Sequence, residues 1–155
     1  WIKSEVAARY PLSLNTSHPT QRLHSQLDNT PLRDKFAIAD REAILIHPDD
    51  AKARGIQAGD LVRAFNERGQ ILVGALLSKD IRPGVVRICE GAWFDPAKPG
   101  EVGAICKNGN VNCLTFDEGS SSLAQGNCGH MAQLQIEKYS GPDLVNTAHE
   151  VPVNA

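Results

Sequence analysis

The segment SHPTQRLHSQLDN, from Ser17 to Asn29, holds the densest hydrogen-bonding chemistry in the chain. His18 and His24 offer ring nitrogens, Arg22 a planar fork of donors, and Gln26 an amide. Ser25, Ser17 and the preceding Thr16 add hydroxyls. A connection that only joins two elements is usually shorter and blander, so this stretch reads as a binding surface. The competing reading is a solvated polar face, the commoner fate of Arg and His in loops.

Other chemistry finds weaker support. Cys89, Cys106, Cys113 and Cys128 contain no CxxC pair and lie near no clustered histidine, so no metal ligands are expected and the four read as free thiols. Gly119-Ser120 is the kind of dipeptide at which self-processing decarboxylases cleave themselves, but it is also a common loop pair. No serine stands out as a nucleophile, and no catalytic residue is expected within the chain.

The elements that must position the polar segment are mostly short strands. YPLSLNTS, residues 10–17, alternates crudely and feeds the loop. EAILIH is an apolar run ending at HPDDAKARG, where His47 can cap a short helix begun by Pro48 and closed by Gly55. LVRAFN and ILVGALLSK stand at hairpin spacing around ERGQ, with Gly69 available for a positive φ. VVRICEG follows the turn IRPGV, VNCLTF is a short strand or a loop entry, and MAQLQIEKY is the last alternating strand. The tail after Gly141, with His149, is expected to be irregular. Short strands separated by turns favour a small closed barrel, mainly β, with short helices and long loops.

The chain has 155 residues, enough for one core, and 41% hydrophobic with 22% charged residues argues against disorder. A net charge of −2, with scattered Lys and Arg, disfavours nucleic acid as a partner. No apolar run reaches the roughly 20 residues of a spanning helix. The start at Trp1, without Met, leads us to expect a fragment of a longer chain, with 1–155 as one domain and its core at about 10–142.

Four segments in order carry a resemblance: NTSHPTQRLHSQ (Asn15–Gln26), IHPDDAKARGIQAGDLVRAFNERGQI (Ile46–Ile71), RPGVVRICEGAW (Arg82–Trp93) and KNGNVNCLT (Lys107–Thr115). Together they resemble the C-terminal, molybdopterin-dinucleotide-binding domain of the dimethyl sulfoxide reductase family, and within it look most similar to trimethylamine N-oxide and biotin sulfoxide reductases. The resemblance implies a double-psi β-barrel, the aspartate-decarboxylase-like architecture, holding part of a bis(molybdopterin guanine dinucleotide) molybdenum cofactor. It also implies a parent reductase that removes oxygen from N-oxides or S-oxides, here trimethylamine N-oxide, dimethyl sulfoxide or biotin sulfoxide. The partners implied are the remaining domains of that enzyme and an electron-donor protein. The compartment expected for such an enzyme is the periplasm, with the cytoplasm as alternative.

On that resemblance Thr16, Ser17, His18, Arg22, His24, Ser25 and Gln26 are cofactor-binding candidates, because a dinucleotide needs many donors at fixed positions. Asn112 occupies the Asn of the family's N-x-L-T pattern and can present a donor and an acceptor to a heterocycle, or simply form a turn. Trp93 is either a flat wall along the cofactor or ordinary core. Asn127 and Gly129, in QGNCGH, fall where the family returns a late loop to the pterin. The isolated domain is expected to hold the cofactor weakly or not at all, since the other enclosing domains are missing. The readings set against this one are a stand-alone interaction module, disfavoured by only 5% aromatic residues, and a self-processing small barrel enzyme.

Overall fold

A computed structural model describes residues 4–117, 119–126 and 132–151. Strands β1 (Leu12–Asn15), β2 (Ala43–Ile46), β3 (Leu61–Phe65), β4 (Gln70–Leu77), β5 (Val85–Ile88) and β6 (Gln133–Lys138) close into a barrel in the order β1-β5-β2-β4-β3-β6. Helices α1 (Ser4–Arg9) and α2 (Pro48–Lys52) are short, and 3-10 turns form at Pro31–Lys35 and Val111–Cys113.

Alternation explains the closure. Leu12 and Leu14, Ile44 and Ile46, Val62 and Ala64, Ile71 and Val73, Val86 and Ile88, and Leu134 and Ile136 send every second side chain inward, all at most 2% exposed. Burying each of the larger ones contributes about 1.5–3 kcal/mol. Closure leaves no open sheet edge, which a six-stranded sheet of this length would otherwise expose.

β1 pairs in parallel with β5 and β2 in parallel with β4, while the other four pairings are antiparallel. Parallel neighbours cannot be joined by tight turns, so long connections must cross the barrel. The result is the double-psi β-barrel, and its strand directions decide where function can sit. The C-terminal ends of β1, β3 and β5 and the N-terminal ends of β2, β4 and β6 share one end of the barrel. The segments leaving β1 and β5 therefore meet there, although they are far apart in sequence.

Local expectations hold in part. The β3–β4 hairpin forms with Phe65 opposite Gln70, and His47 caps α2, its Nδ1 accepting from the Asp49 backbone N–H at 3.2 Å. VNCLTF resolves as a 3-10 turn and not a strand, because the Asn110 side chain caps it by accepting from the Asn112 N–H. Gly69 is not among the positive-φ glycines. It is there for space, since a Cβ would meet the Cys113 carbonyl oxygen at 2.7 Å. The last strand begins at Gln133, and Met131 lies outside the described residues.

Candidate functional site

The loop leaving β1 is anchored by the buried Arg22, whose guanidinium is turned away from solvent. Its Nε donates to the His24 carbonyl at 3.0 Å, Nη1 to Asp28 at 3.2 Å and Glu42 at 2.7 Å, and Nη2 to the Glu90 carbonyl. The Phe36 ring covers the cation with its centroid 4.9 Å away. Arg22, expected as a ligand fork, is thus a structural anchor. Its side chain is 0% exposed, and these donors are consumed by protein acceptors.

Asp28 is the hub beneath it. One carboxylate oxygen accepts from Arg22 and Arg33; the other accepts from the Trp93 backbone N–H at 3.2 Å, His149 Nε2 at 3.1 Å and, at 3.5 Å, Asn108 Nδ2. Burying a carboxylate is costly unless it is charge-paired and hydrogen-bonded, and here both conditions are met. Glu42 is less well compensated. Burial pushes its carboxyl up to about 7, against the pull of Arg22.

The tail is irregular in secondary structure but tightly held. Arg41 donates to the Leu144 carbonyl, Asn146 donates to the Asp40 carbonyl and to Asn108, and the Thr147 N–H donates to Asp95. His149 stacks at a tilt on Trp93, ring centroids 5.2 Å apart. Sequence reasoning assigned His149 no role because its partners lie far away along the chain.

Above this buried layer the outward-facing groups converge. His18 Nδ1 and His24 Nδ1 both reach one Glu90 carboxylate oxygen, at 2.5 and 2.6 Å, and the two rings meet edge to face at 4.9 Å. Glu90 feels opposing influences. Burial tends to raise its pKa, but the hydrogen bonds and charges of His18 and His24 outweigh this and hold it below the usual carboxylate range. The backbones are braced as well: the Glu90 N–H donates to the Ser17 carbonyl. His24 itself adopts a positive φ of 51°, an uncommon conformation for a residue with a Cβ.

Ser17 Oγ lies 3.6 Å from Cys89 Sγ, the Ser25 carbonyl accepts from Trp93 Nε1 at 2.8 Å, and the Gln26 N–H returns to the Leu23 carbonyl. Ser25 and Gln26 are exposed, while Thr16 is half-buried at the mouth of the loop. Trp93 is 37% exposed and so is not core; with Leu23, Leu27 and Phe94 it leaves apolar surface around the site. Asn112 is exposed on the 3-10 turn at the same barrel end, beside the β3–β4 hairpin. Among the described residues no hydrogen bond joins it to the loop. Asn127 and Gly129 lie outside the described residues. Beside the loop, a cleft of about 280 Å³ runs between His18, Gln21, Phe36, Glu42, Leu45 and Arg87.

Sequence reasoning missed Asp28, Glu42, Glu90 and His149. Asp28 stood within the polar segment and Glu90 within RPGVVRICEGAW, so membership of those segments was the available signal.

Residues 12–132 match the model of the molydopterin dinucleotide binding domain. The chain belongs to this family. Among curated relatives of this dinucleotide-binding domain, the dimethyl sulfoxide/trimethylamine N-oxide reductase of Cereibacter sphaeroides is 51% identical over 150 residues, covering 97% of this chain and 18% of that protein. The trimethylamine-N-oxide reductase of Salmonella typhimurium is 51% identical over 94% of this chain and 17% of its own length. Trimethylamine-N-oxide reductase 1 of Escherichia coli K12 is 54% identical over 86% of this chain and 16% of its own length. The chain thus spans about a sixth of the length of these relatives. Acetylene hydratase from Pelobacter acetylenicus shares the fold, with a TM-score of 0.67 at 22% identity, over 87% of this chain and 19% of that one.

Proposed function

We propose that this domain clamps one part of a molybdopterin guanine dinucleotide within a larger molybdenum reductase acting on N-oxides or S-oxides. The observation that carries the reading is the exposed donor set of the 15–26 loop, mounted on a buried ionic layer at one end of the barrel. A flexible polar loop would lose entropy on ordering around a ligand, whereas this one is already braced by Arg22, Asp28 and Glu42.

The donor chemistry fits the group. His18, His24, Ser25 and Gln26 are exposed, and polar ring nitrogens, hydroxyls and amides suit a pyrophosphate and heterocyclic edges. Asn112 can meet a heterocyclic edge from the far side of the same barrel end. Trp93 offers a flat face whose orientation is set by its bond to the Ser25 carbonyl. When bound in the full enzyme, the cofactor supplies the metal at which oxygen leaves the substrate. This chain's residues bind, orient and exclude water.

The exposed Leu23, Leu27, Trp93 and Phe94 fit a face covered by sibling domains. On the same reading an electron-donor protein serves the whole enzyme, which works in the periplasm. No helix among the described residues is long and apolar enough to cross a membrane. The Gly119-Ser120 alternative finds the Ser120 hydroxyl donating to the Ala124 carbonyl within an exposed loop.

The test is cofactor content. His24→Ala and Asn112→Ala in the full-length enzyme should lower retained molybdenum and released guanine nucleotide before substrate preference changes. Normal content with altered selectivity would overturn the assignment.

A further inference from the structure

We propose that His18, His24 and Glu90 form a binding site for one divalent transition-metal ion of the zinc, nickel or copper class, used when the loop holds no dinucleotide. The ligand atoms are His18 Nδ1, His24 Nδ1 and a Glu90 carboxylate oxygen, all within 4.8 Å of one another. Two imidazoles and one carboxylate suit these ions, whereas calcium and magnesium favour sets made wholly of oxygen.

The spacing is short of a loaded site by a small movement. Ligand atoms around a tetrahedral zinc lie about 3.3 Å apart, as follows from zinc–nitrogen and zinc–oxygen distances of about 2.0–2.1 Å. The Glu90 oxygen now sits 2.5 and 2.6 Å from the two nitrogens and must withdraw by less than about 1 Å, while the two nitrogens, within 4.8 Å of each other, must close toward the same spacing by rotation of their exposed rings. All three side chains have room: they are 75%, 61% and 32% exposed. Coordination needs an unprotonated Nδ1 on each ring, so the protons now shared with Glu90 move to Nε2 or to solvent as the ion enters. The outward side stays open for water.

The backbones beneath the ligands are fixed, which separates this cluster from three side chains that merely meet at a surface. Arg22 donates to both the His24 and the Glu90 carbonyls, tying two of the ligand residues to one buried cation. The Glu90 N–H is bonded to the Ser17 carbonyl, next to His18. Gly91 presses on the His24 carbonyl so closely that no other residue fits. The ligands are therefore preorganised, and the entropy lost on binding falls on side-chain rotamers alone.

The ion and the dinucleotide are separate ligands, and the ion site is a property of the chain without cofactor. The experiment is a zinc titration of the tag-free, chelator-stripped chain, followed by native mass spectrometry and calorimetry, with magnesium as the control ion. The expected result is one zinc per chain in the micromolar range and no magnesium. His24→Ala and Glu90→Gln should each weaken zinc binding roughly tenfold or more. Cys89→Ser and His149→Ala should leave it unchanged. Melting curves for each variant separate ligand loss from unfolding, and His18→Ala, at the most exposed of the three ligands, gives a second test if His24→Ala destabilises the loop. Absence of a zinc-bound species, or affinity unchanged in both histidine variants, would overturn the site. So would loss of binding in Cys89→Ser.

Discussion

Gly91 lies against the backbone of His24: a Cβ on Gly91 would fall 2.0 Å from the His24 carbonyl oxygen. Gly91 also has a φ of +95°, which side-chain-bearing residues rarely adopt. Gly91→Ala should therefore cost about 1–3 kcal/mol, read by chemical denaturation, and should displace His24 from Glu90. A change within about 0.5 kcal/mol would show that the two segments separate without penalty.

Arg22→Ala leaves Asp28 and Glu42 buried with one shared cation removed. Breaking a buried pair in this way costs about 3–5 kcal/mol. A melting temperature close to that of the parent chain would mean that water reaches the cluster. In the full enzyme the same substitution should lower cofactor retention by loosening the loop, not by removing a contact.

His149→Ala removes one of five donors to Asp28 and leaves Arg22, Arg33, Trp93 and Asn108 in place. Its cost should be near 1 kcal/mol, well below that of Arg22→Ala. Denaturation of the two variants side by side checks the order, and equal losses would assign the tail a larger part than its geometry supports.

Glu42 gives a pH dependence of definite sign. Its carboxyl is raised from 4.5 to about 7 in the folded chain, so between those values the folded state binds more protons than the unfolded state. Its contribution to stability is fully present below pH 4.5 and is lost as pH rises through about 7. Glu42→Gln keeps an acceptor for Arg22 but cannot ionise. Melting temperatures from pH 5 to 8 should therefore fall less steeply in Glu42→Gln than in the parent, and parallel profiles would refute the assignment.

What could be read from the sequence was local. Alternation in LSLN, AILI and QLQIEK marks which side chains face the core, because a strand's period of two is a property of neighbouring residues. His47 and Pro48 announce a helix start for the same reason, and the ordered motifs carry the family. The loop at 15–26 was recognisable as a polar surface from its composition.

The roles inside that loop were not. Arg22 and His24 are two residues apart and equally polar, yet one is buried and the other is 61% exposed. Nothing in a donor's identity tells whether its acceptor will be solvent, a ligand or a carboxylate elsewhere in the chain. Asp28 meets His149 across 121 positions, and Glu90 meets His18 across 72. Closure of the barrel decided these pairings. It brings the exits of β1 and β5 and the entry of β2 to one end, where charged groups shielded from water had to find one another.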